Sequence, residues 1–163
     1  PNAGKSSLLN ELTSAKSKVA NYAFTTLEPH LGAYYELIIA DIPGLIEGAS
    51  QGKGLGVKFL KHIERTSVLF HLLSLESEDP AQDYEIIRNE LEIHNPLLTI
   101  KKEFVLLTKT DAVAPKVLKE KLAVLKKLGL HPIPVSILDS ESLEEVKKIL
   151  NKIKDEKLKG ESK

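Results

Sequence analysis

The sequence predicts an α/β fold, a mostly parallel doubly wound sheet with helices on both faces, and three observations carry that prediction. Short apolar runs alternate along the chain with segments of helical spacing. A Gly-Lys-Ser tripeptide at residues 4–6 opens directly into a helical pattern. Two of the apolar runs are followed at once by motifs that contain an aspartate, which places both acids at the same edge of a parallel sheet.

The elements follow in order. Gly4-Lys5-Ser6-Ser7 runs into Leu8-Leu9-Asn10-Glu11-Leu12, a helix start. Leu37-Ile38-Ile39-Ala40, Val68 to Leu73, Phe104-Val105-Leu106-Leu107 and Ile133-Pro134-Val135 are short, mostly apolar and bounded by polar residues or turns. Such runs suit strands covered on both faces. Helical spacing occupies the segments near 56–65, 80–94, 115–128 and 141–157. The last carries Leu143, Val146, Leu150 and Ile153 on one side and lysines and glutamates on the other, so a solvated outer face is expected there. Residues 1–157 are expected to form one domain, and 158–163, rich in Lys, Glu, Gly and Ser, a frayed tail.

Composition bounds the function. A chain of 163 residues can hide roughly two thirds of its extended surface in one core. Lys+Arg and Asp+Glu are both 23, so no global field recruits nucleic acid or an anionic membrane, and any RNA partner must be met by a local patch. The absence of cysteine excludes a disulfide framework, thiol catalysis and cysteine-ligated zinc. No apolar run approaches the roughly 18 residues of a membrane span, so a soluble chain is expected.

Gly4-Lys5-Ser6 is the end of a G-x-x-x-x-G-K-[S/T] phosphate loop. Its first glycine would fall two residues before Pro1, and the strand that feeds the loop before that, so the first strand of the sheet is expected to be missing from this chain. In the fold that strand would lie between the one ending at Ala40 and the one beginning at Val68. Its loss would leave two interior edges without partners, and residues 1–163 alone are expected to be destabilised and to bind nucleotide poorly. At the loop, backbone N–H groups and a helix N-terminus converge on one spot, where Lys5 would reach the outer phosphates and the Ser6 hydroxyl would hold Mg²⁺. Alone, the tripeptide could equally be a chance helix start.

Two further motifs stand beside it. Asp41-Ile42-Pro43-Gly44 follows strand 37–40, so Asp41 can approach the magnesium and the Gly44 N–H can meet the γ-phosphate. Thr108-Lys109-Thr110-Asp111 follows strand 104–107. Asp111 can accept the ring and exocyclic N–H donors of guanine, a pair that adenine lacks, while the Lys109 stem lies along the base. Ser136, with Ile137 and Leu138 behind it, stands where a final loop would touch the base. Of nine glycines, Gly44, Gly48, Gly52, Gly54 and Gly56 fall in "GLIEGASQGKGLG"; within it Gly52-Lys53-Gly54-Leu55-Gly56 follows no strand and lacks the dinucleotide spacing. Glycine makes ordering costly, which suits a segment fixed by a γ-phosphate and released afterwards, with a plain long surface loop as the alternative.

With these residues in hand, "PNAGKSSLLN", "YAFTTLEPHLG" at 22–32 and "DIPGLIEGASQGKGLGVKFLKHIERT" at 41–66 resemble the Obg family of GTPases, of the TRAFAC class, over the whole chain as its G domain. The resemblance implies a three-layer P-loop NTPase G domain. It also implies a slow, Mg²⁺-dependent GTPase of the cytoplasm, monomeric, that acts on the large ribosomal subunit, its rRNA and protein, in assembly or stress control. Family members usually carry a glycine-rich N-terminal domain, which would lie upstream, and the end of this chain just past its last helix leaves no folded C-terminal extension within it. Carried over by position, Asn2, Ala3, Gly4, Lys5, Ser6 and Ser7 form the phosphate loop. Thr26 matches the switch threonine that binds Mg²⁺ and senses the γ-phosphate, Thr25 is its neighbour, and Lys5, Thr26 and Gly44 would act in hydrolysis. Tyr22 and Phe24 either shield the nucleotide or pack the loop.

There are departures. Thr108 replaces the commoner asparagine, His30 stands where asparagine is usual, and "GAYYELIIA" makes the hairpin between the second and third strands very short. His62 and His71 fit structural roles in a helix and a strand. A YchF-like ATPase, whose corresponding motif ends in glutamate, and a nucleotide-independent module with a decayed site are the competing classes; Asp111 and Lys109 oppose the first. Lys5, Ser6, Thr26, Asp41 and Asp111 oppose the second.

Leu45 occupies the place where many GTPases put a water-orienting glutamine, and leucine cannot orient water. An arginine could compensate by a factor of roughly 10³–10⁵, but residues 17–32 contain none, and Arg65 and Arg88 both fall in helical segments. Asn2 resembles the potassium-binding asparagine of MnmE-like and Era-like GTPases, although it could merely brace the loop, with a ribosomal component as the activator. If potassium serves, GTP turnover is faster in potassium chloride than in matched sodium chloride and the difference vanishes in Asn2→Ala; equal rates in the two salts eliminate the idea.

Overall fold

The computed structural model describes residues 5–13, 18–19, 30–35, 37–40 and 66–161. At its centre β5 (Lys102–Thr108) is the middle strand of a parallel sheet, flanked by β4 (Val68–Ser74) and β6 (Ile133–Pro134). Val105, Leu106 and Leu107 are consecutive and all buried, so both faces of β5 are covered, as an apolar run without alternation requires. Leu106 packs against Leu8 and Leu12 of α1 (Lys5–Leu12) and against Leu143, Val146 and Leu150 of α4 (Ser140–Glu161). Val105 and Leu107 face the other way, onto Leu73, Leu75 and Leu125 of α3 (Pro115–Lys127), with Ala81 and Tyr84 of α2 (Pro80–His94) beside them. The result is three layers. Truncating a side chain such as Leu106 to alanine would cost about 2–5 kcal/mol, because the cavity it leaves cannot collapse against two helices.

Local chemistry sets the helix ends. Asp79 caps α2 by accepting the Gln82 N–H at 3.0 Å, and Pro80 follows in the first turn, where a missing N–H costs nothing. Asn95 and Pro96 stop the helix at His94, and a 3₁₀ turn at Pro96–Ile100 leads into β5. Among the described residues no helix is long and apolar enough to cross a membrane.

A second, antiparallel sheet joins β1 (Lys18–Val19), β2 (His30–Tyr34) and β3 (Leu37–Ala40). Tyr34 pairs with Leu37, so β2 and β3 are joined by a very short hairpin, as expected from the sequence. Tyr35 takes the left-handed φ of 52° that such a turn favours at its first position. Tyr34 and Leu37 enter the same core as Leu106. The Tyr34 hydroxyl donates to Asn151 Oδ1 at 2.7 Å, and Lys154 Nζ lies 4.5 Å from the centre of the Tyr35 ring, so the hairpin is fastened to α4.

Several elements differ from the sequence reading. The strands form, among the described residues, two ladders of three, and β3 and β4 are not paired with each other, in keeping with a first strand expected between the one ending at Ala40 and the one beginning at Val68; the remaining differences are at the ends of elements. β6 ends at Pro134, one residue early, although the Val135 N–H still donates to Leu107 O at 2.8 Å. α4 continues to Glu161, so residues 158–161, expected in the frayed tail, are helical; lysine and glutamate are good helix formers and extend a helix already anchored in the core. The helix expected at 56–65 and the glycine-rich segment 44–56 lie outside the described residues.

His71 on β4 has the structural role expected of it. Its ring stacks on Tyr84 at 5.1 Å, and its buried Nδ1 has no hydrogen-bond partner among the described residues. Burial first, then the nearby Arg88 charge, lower its pKa from 6.5 to about 4 against the opposing pull of Asp83. The fold therefore selects the neutral ring: its contribution is complete above 6.5 and is lost as pH falls through about 4. In full the difference is worth at most about 3 kcal/mol. Denaturant unfolding of the full-length protein between about pH 7 and pH 4 should show a smaller loss of stability for His71→Phe than for the wild type; identical profiles would contradict the assignment.

Candidate nucleotide-binding site

Parallel strands end together, so the loops after β4, β5 and β6 leave the sheet side by side. Thr108, at the end of β5, is buried, and its hydroxyl donates to Leu73 O at 3.3 Å. The Leu75 N–H donates to Thr108 O at 3.0 Å, so the ends of β4 and β5 are tied in both directions. The hydroxyl of Thr108, which stands where asparagine is commoner, is thus engaged inside the sheet edge.

Lys109 then turns the chain sharply, with φ 63° and ψ 41°. That left-handed conformation costs a non-glycine residue about 1 kcal/mol and is worth noting where function is in question. A 3₁₀ turn at Thr110–Ala112 follows, closed by the Ala112 N–H on Lys109 O at 3.0 Å. The reversal brings Asp111 against the loop after β6. There the Ser136 hydroxyl donates to Asp111 Oδ1 at 2.6 Å, and the Thr110 N–H donates to Val135 O at 3.4 Å.

Ser136 is itself held from three directions. Its N–H donates to Ser142 Oγ at 3.1 Å, its Oγ accepts the Leu138 N–H at 3.1 Å, and its O–H is committed to Asp111. The serine is only 3% exposed, while Asp111 is exposed at the surface. A carboxylate has about four lone-pair positions, so one serine donor leaves acceptor capacity on Asp111 for a ligand's N–H pair. Ile137 and Leu138 stand exposed next to it, apolar surfaces against which a planar base can lie.

On the other side of Asp111, Lys109 Nζ donates to Glu76 Oε2 at 2.7 Å. Glu76 sits in the loop after β4, which Lys121 of α3 braces by donating to Leu75 O at 2.7 Å and Ser77 O at 2.6 Å. Glu76, Lys121 and Ser142 were not read from the sequence. A signal existed for Glu76, a third acid just past an apolar strand, but nothing local marked Lys121 or Ser142.

The structure thus brings together Thr108, Lys109, Asp111, Ser136, Ile137 and Leu138. α1 begins at Lys5, with Ser6 and then exposed Ser7 in its first turn, as the phosphate loop requires. Asn2, Ala3, Gly4, Phe24, Thr25, Thr26, Asp41 and Gly44 lie outside the described residues, as do the side chains of Lys5 and Ser6. Among the described residues no three His, Cys, Asp or Glu side chains gather to hold a metal ion. Arg88 bridges Glu103 at 3.0 Å and Thr99 O at 2.7 Å, a tie between α2 and the start of β5.

A three-layer domain with a lysine and an aspartate at the end of a parallel strand, backed by a serine loop, has the architecture of a P-loop GTPase G domain. The sequence matches the 50S ribosome-binding GTPase family over residues 1–109, and the chain belongs to that family. It is 48% identical to GTPase Obg of Rickettsia bellii (strain RML369-C) over 161 residues, 95% of this chain and 49% of that protein, so it spans about half the length of the curated relative. In structure it is similar to the G domain of the T. maritima FeoB iron transporter, with a TM-score of 0.63 and 26% identity over 91% of this chain and 89% of that one. It is likewise similar to Era in complex with MgGDPNP and nucleotides 1506–1542 of 16S ribosomal RNA, with a TM-score of 0.66 and 26% identity over 93% of this chain and 53% of that one. The Obg resemblance read from the sequence motifs is therefore matched by a curated relative of that name.

The Ser136 clamp yields a direct test. Loss of its hydroxyl frees Asp111 and leaves the Leu138 N–H without its acceptor, so Ser136→Ala should weaken GDP binding by about five-fold, the equivalent of one hydrogen bond of about 1 kcal/mol. Calorimetric titration of the full-length protein would measure it; unchanged affinity would show that Asp111 needs no clamp.

Proposed function

We propose that this chain is the G domain of an Obg-type GTPase that binds GTP and GDP with Mg²⁺, hydrolyses GTP slowly and acts as a switch on the large ribosomal subunit in the cytoplasm. The observation that carries the reading is the Asp111 carboxylate, held by Ser136 at the mouth of the parallel sheet with acceptor capacity to spare. Guanine presents two N–H donors on one edge, and a single carboxylate accepts both. Adenine presents no such pair, which disfavours an ATPase of YchF-like kind.

The start of α1 at Lys5 supports a phosphate position, since the first turn of a helix points unpaired N–H groups outward. In this reading Lys5 meets the outer phosphates and Ser6, Thr26 and Asp41 hold the magnesium. Held by those residues, the ion would supply charge neutralisation to the phosphates. Thr26 and the Gly44 N–H sense the γ-phosphate, and Asn2 is the residue toward which a potassium ion would be drawn. The large-subunit side of the proposal is supported by the name of the matched family, 50S ribosome-binding GTPase, whereas the solved complex of Era with 16S ribosomal RNA supports contact with ribosomal RNA in general.

Affinities of the full-length protein for GDP, GTP and ATP test the nucleotide reading. Tight binding of the two guanine nucleotides and weak binding of ATP are expected. Asp111→Asn should lose about five- to 150-fold in GTP affinity, the range of a buried polar group left unpaired by about 1–3 kcal/mol, and gain affinity for xanthosine nucleotides, whose changed edge an amide can satisfy. A variant that still prefers guanine would refute the role of Asp111.

A further inference from the structure

We infer that Glu76 is a positioning residue of the nucleotide site, holding the Lys109 side chain extended along the face where the base lies; the inference rests on the guanine-nucleotide reading above. Lys109 cannot fix itself. Its stem has four rotatable bonds, its side chain is 31% exposed, and its left-handed backbone settles only where the side chain begins. A free lysine of this kind populates many rotamers, and each must be given up when a base is covered. Glu76 Oε2 meets Nζ at 2.7 Å and selects one arrangement in advance.

The carboxylate can do this because its own loop is fixed. Leu75, the residue before it, is fully buried, and its N–H is bonded to Thr108 O at 3.0 Å. The Glu76 N–H donates to Ser74 Oγ at 3.1 Å, and the Ser77 N–H donates to Ser74 O at 3.1 Å. Lys121 spans the carbonyls on either side, Leu75 O and Ser77 O. Glu76 therefore projects from a loop bonded before and behind it, 33 residues from its partner in sequence. As an exposed ion pair the contact adds little to stability, about 0.2–1 kcal/mol. Such a pair is poor material for a fold and sufficient for orienting one side chain.

The test is a cycle of four full-length proteins, wild type, Glu76→Ala, Lys109→Ala and the double variant, with Kd for a fluorescent GDP analogue as the readout. Glu76→Ala should weaken binding by about two- to five-fold, the equivalent of an exposed pair, and should add nothing once Lys109 is alanine. Glu76→Gln keeps the length and an oxygen acceptor and should recover part of the loss. Equal Kd for the wild type and Glu76→Ala would overturn the inference, as would the same loss in both Lys109 backgrounds, since that would mark Glu76 as a loop residue only. A wild-type protein that binds no guanine nucleotide would overturn this inference together with the nucleotide reading, whereas the other two outcomes leave that reading intact.

Discussion

The parallel register of β4, β5 and β6 is the constraint on which the described site depends. Ser74 lies opposite Thr108, and Leu107 opposite Pro134, so three loops distant in sequence leave the sheet along one line. Parallel neighbours need a crossover, and α2 and α3 supply it on one face while α1 and α4 cover the other. Burial on both faces is what locks the register: a slip by one residue would turn Leu106 toward α3, and Val105 and Leu107 toward α4. The same side chains that hide from water thus decide that Glu76, Lys109, Asp111 and Ser136 meet.

At this edge the polar groups form an ordered division of labour. Those nearest the core, Thr108 and Ser136, are buried and bonded within the protein, as buried polar groups must be. Those farther out, Asp111 and the side chain of Lys109, keep access to solvent. Each outer group touches one inner or neighbouring brace. Rigidity comes from the buried layer and chemistry from the exposed one, so the site can be stiff without being sealed.

How much of this was legible follows from the range of each interaction. The apolar centres of two strands, 68–73 and 104–107, were readable because apolar residues in succession announce burial on both faces, whereas the polar ends at Ser74, Lys102, Glu103 and Thr108 were not. Asp111 and Lys109 were readable because the motif is four residues long, and its chemistry does not depend on knowing a partner. Glu76 to Lys109 spans 33 residues and Lys121 to Leu75 spans 46, and neither pairing exists until the register does. The helical end of α4 was missed for a different reason: lysine- and glutamate-rich composition describes both a frayed tail and a solvated helix, and only the anchor at Val146 and Leu150 separates the two. The split into two ladders was legible because the phosphate-loop motif implies a strand before it, whose place in the sheet lies between the strand ending at Ala40 and the one beginning at Val68.

The backbone at Lys109 shows how a local cost becomes useful. Glycine would adopt φ 63° freely, and lysine there costs about 1 kcal/mol. A glycine would have no stem to lie along a base and no ammonium for Glu76, so the conformation and the side chain are both required at one residue. What offsets the strain is close at hand: the hydrogen bonds from Leu75 to Thr108 and from Ala112 to Lys109 fix the chain on both sides of the turn. The turn then places Asp111 within 2.6 Å of the Ser136 hydroxyl. Relaxing Lys109 to an ordinary extended conformation would swing that carboxylate away from Ser136, so the strain at 109 and the clamp at 136 are two ends of one arrangement.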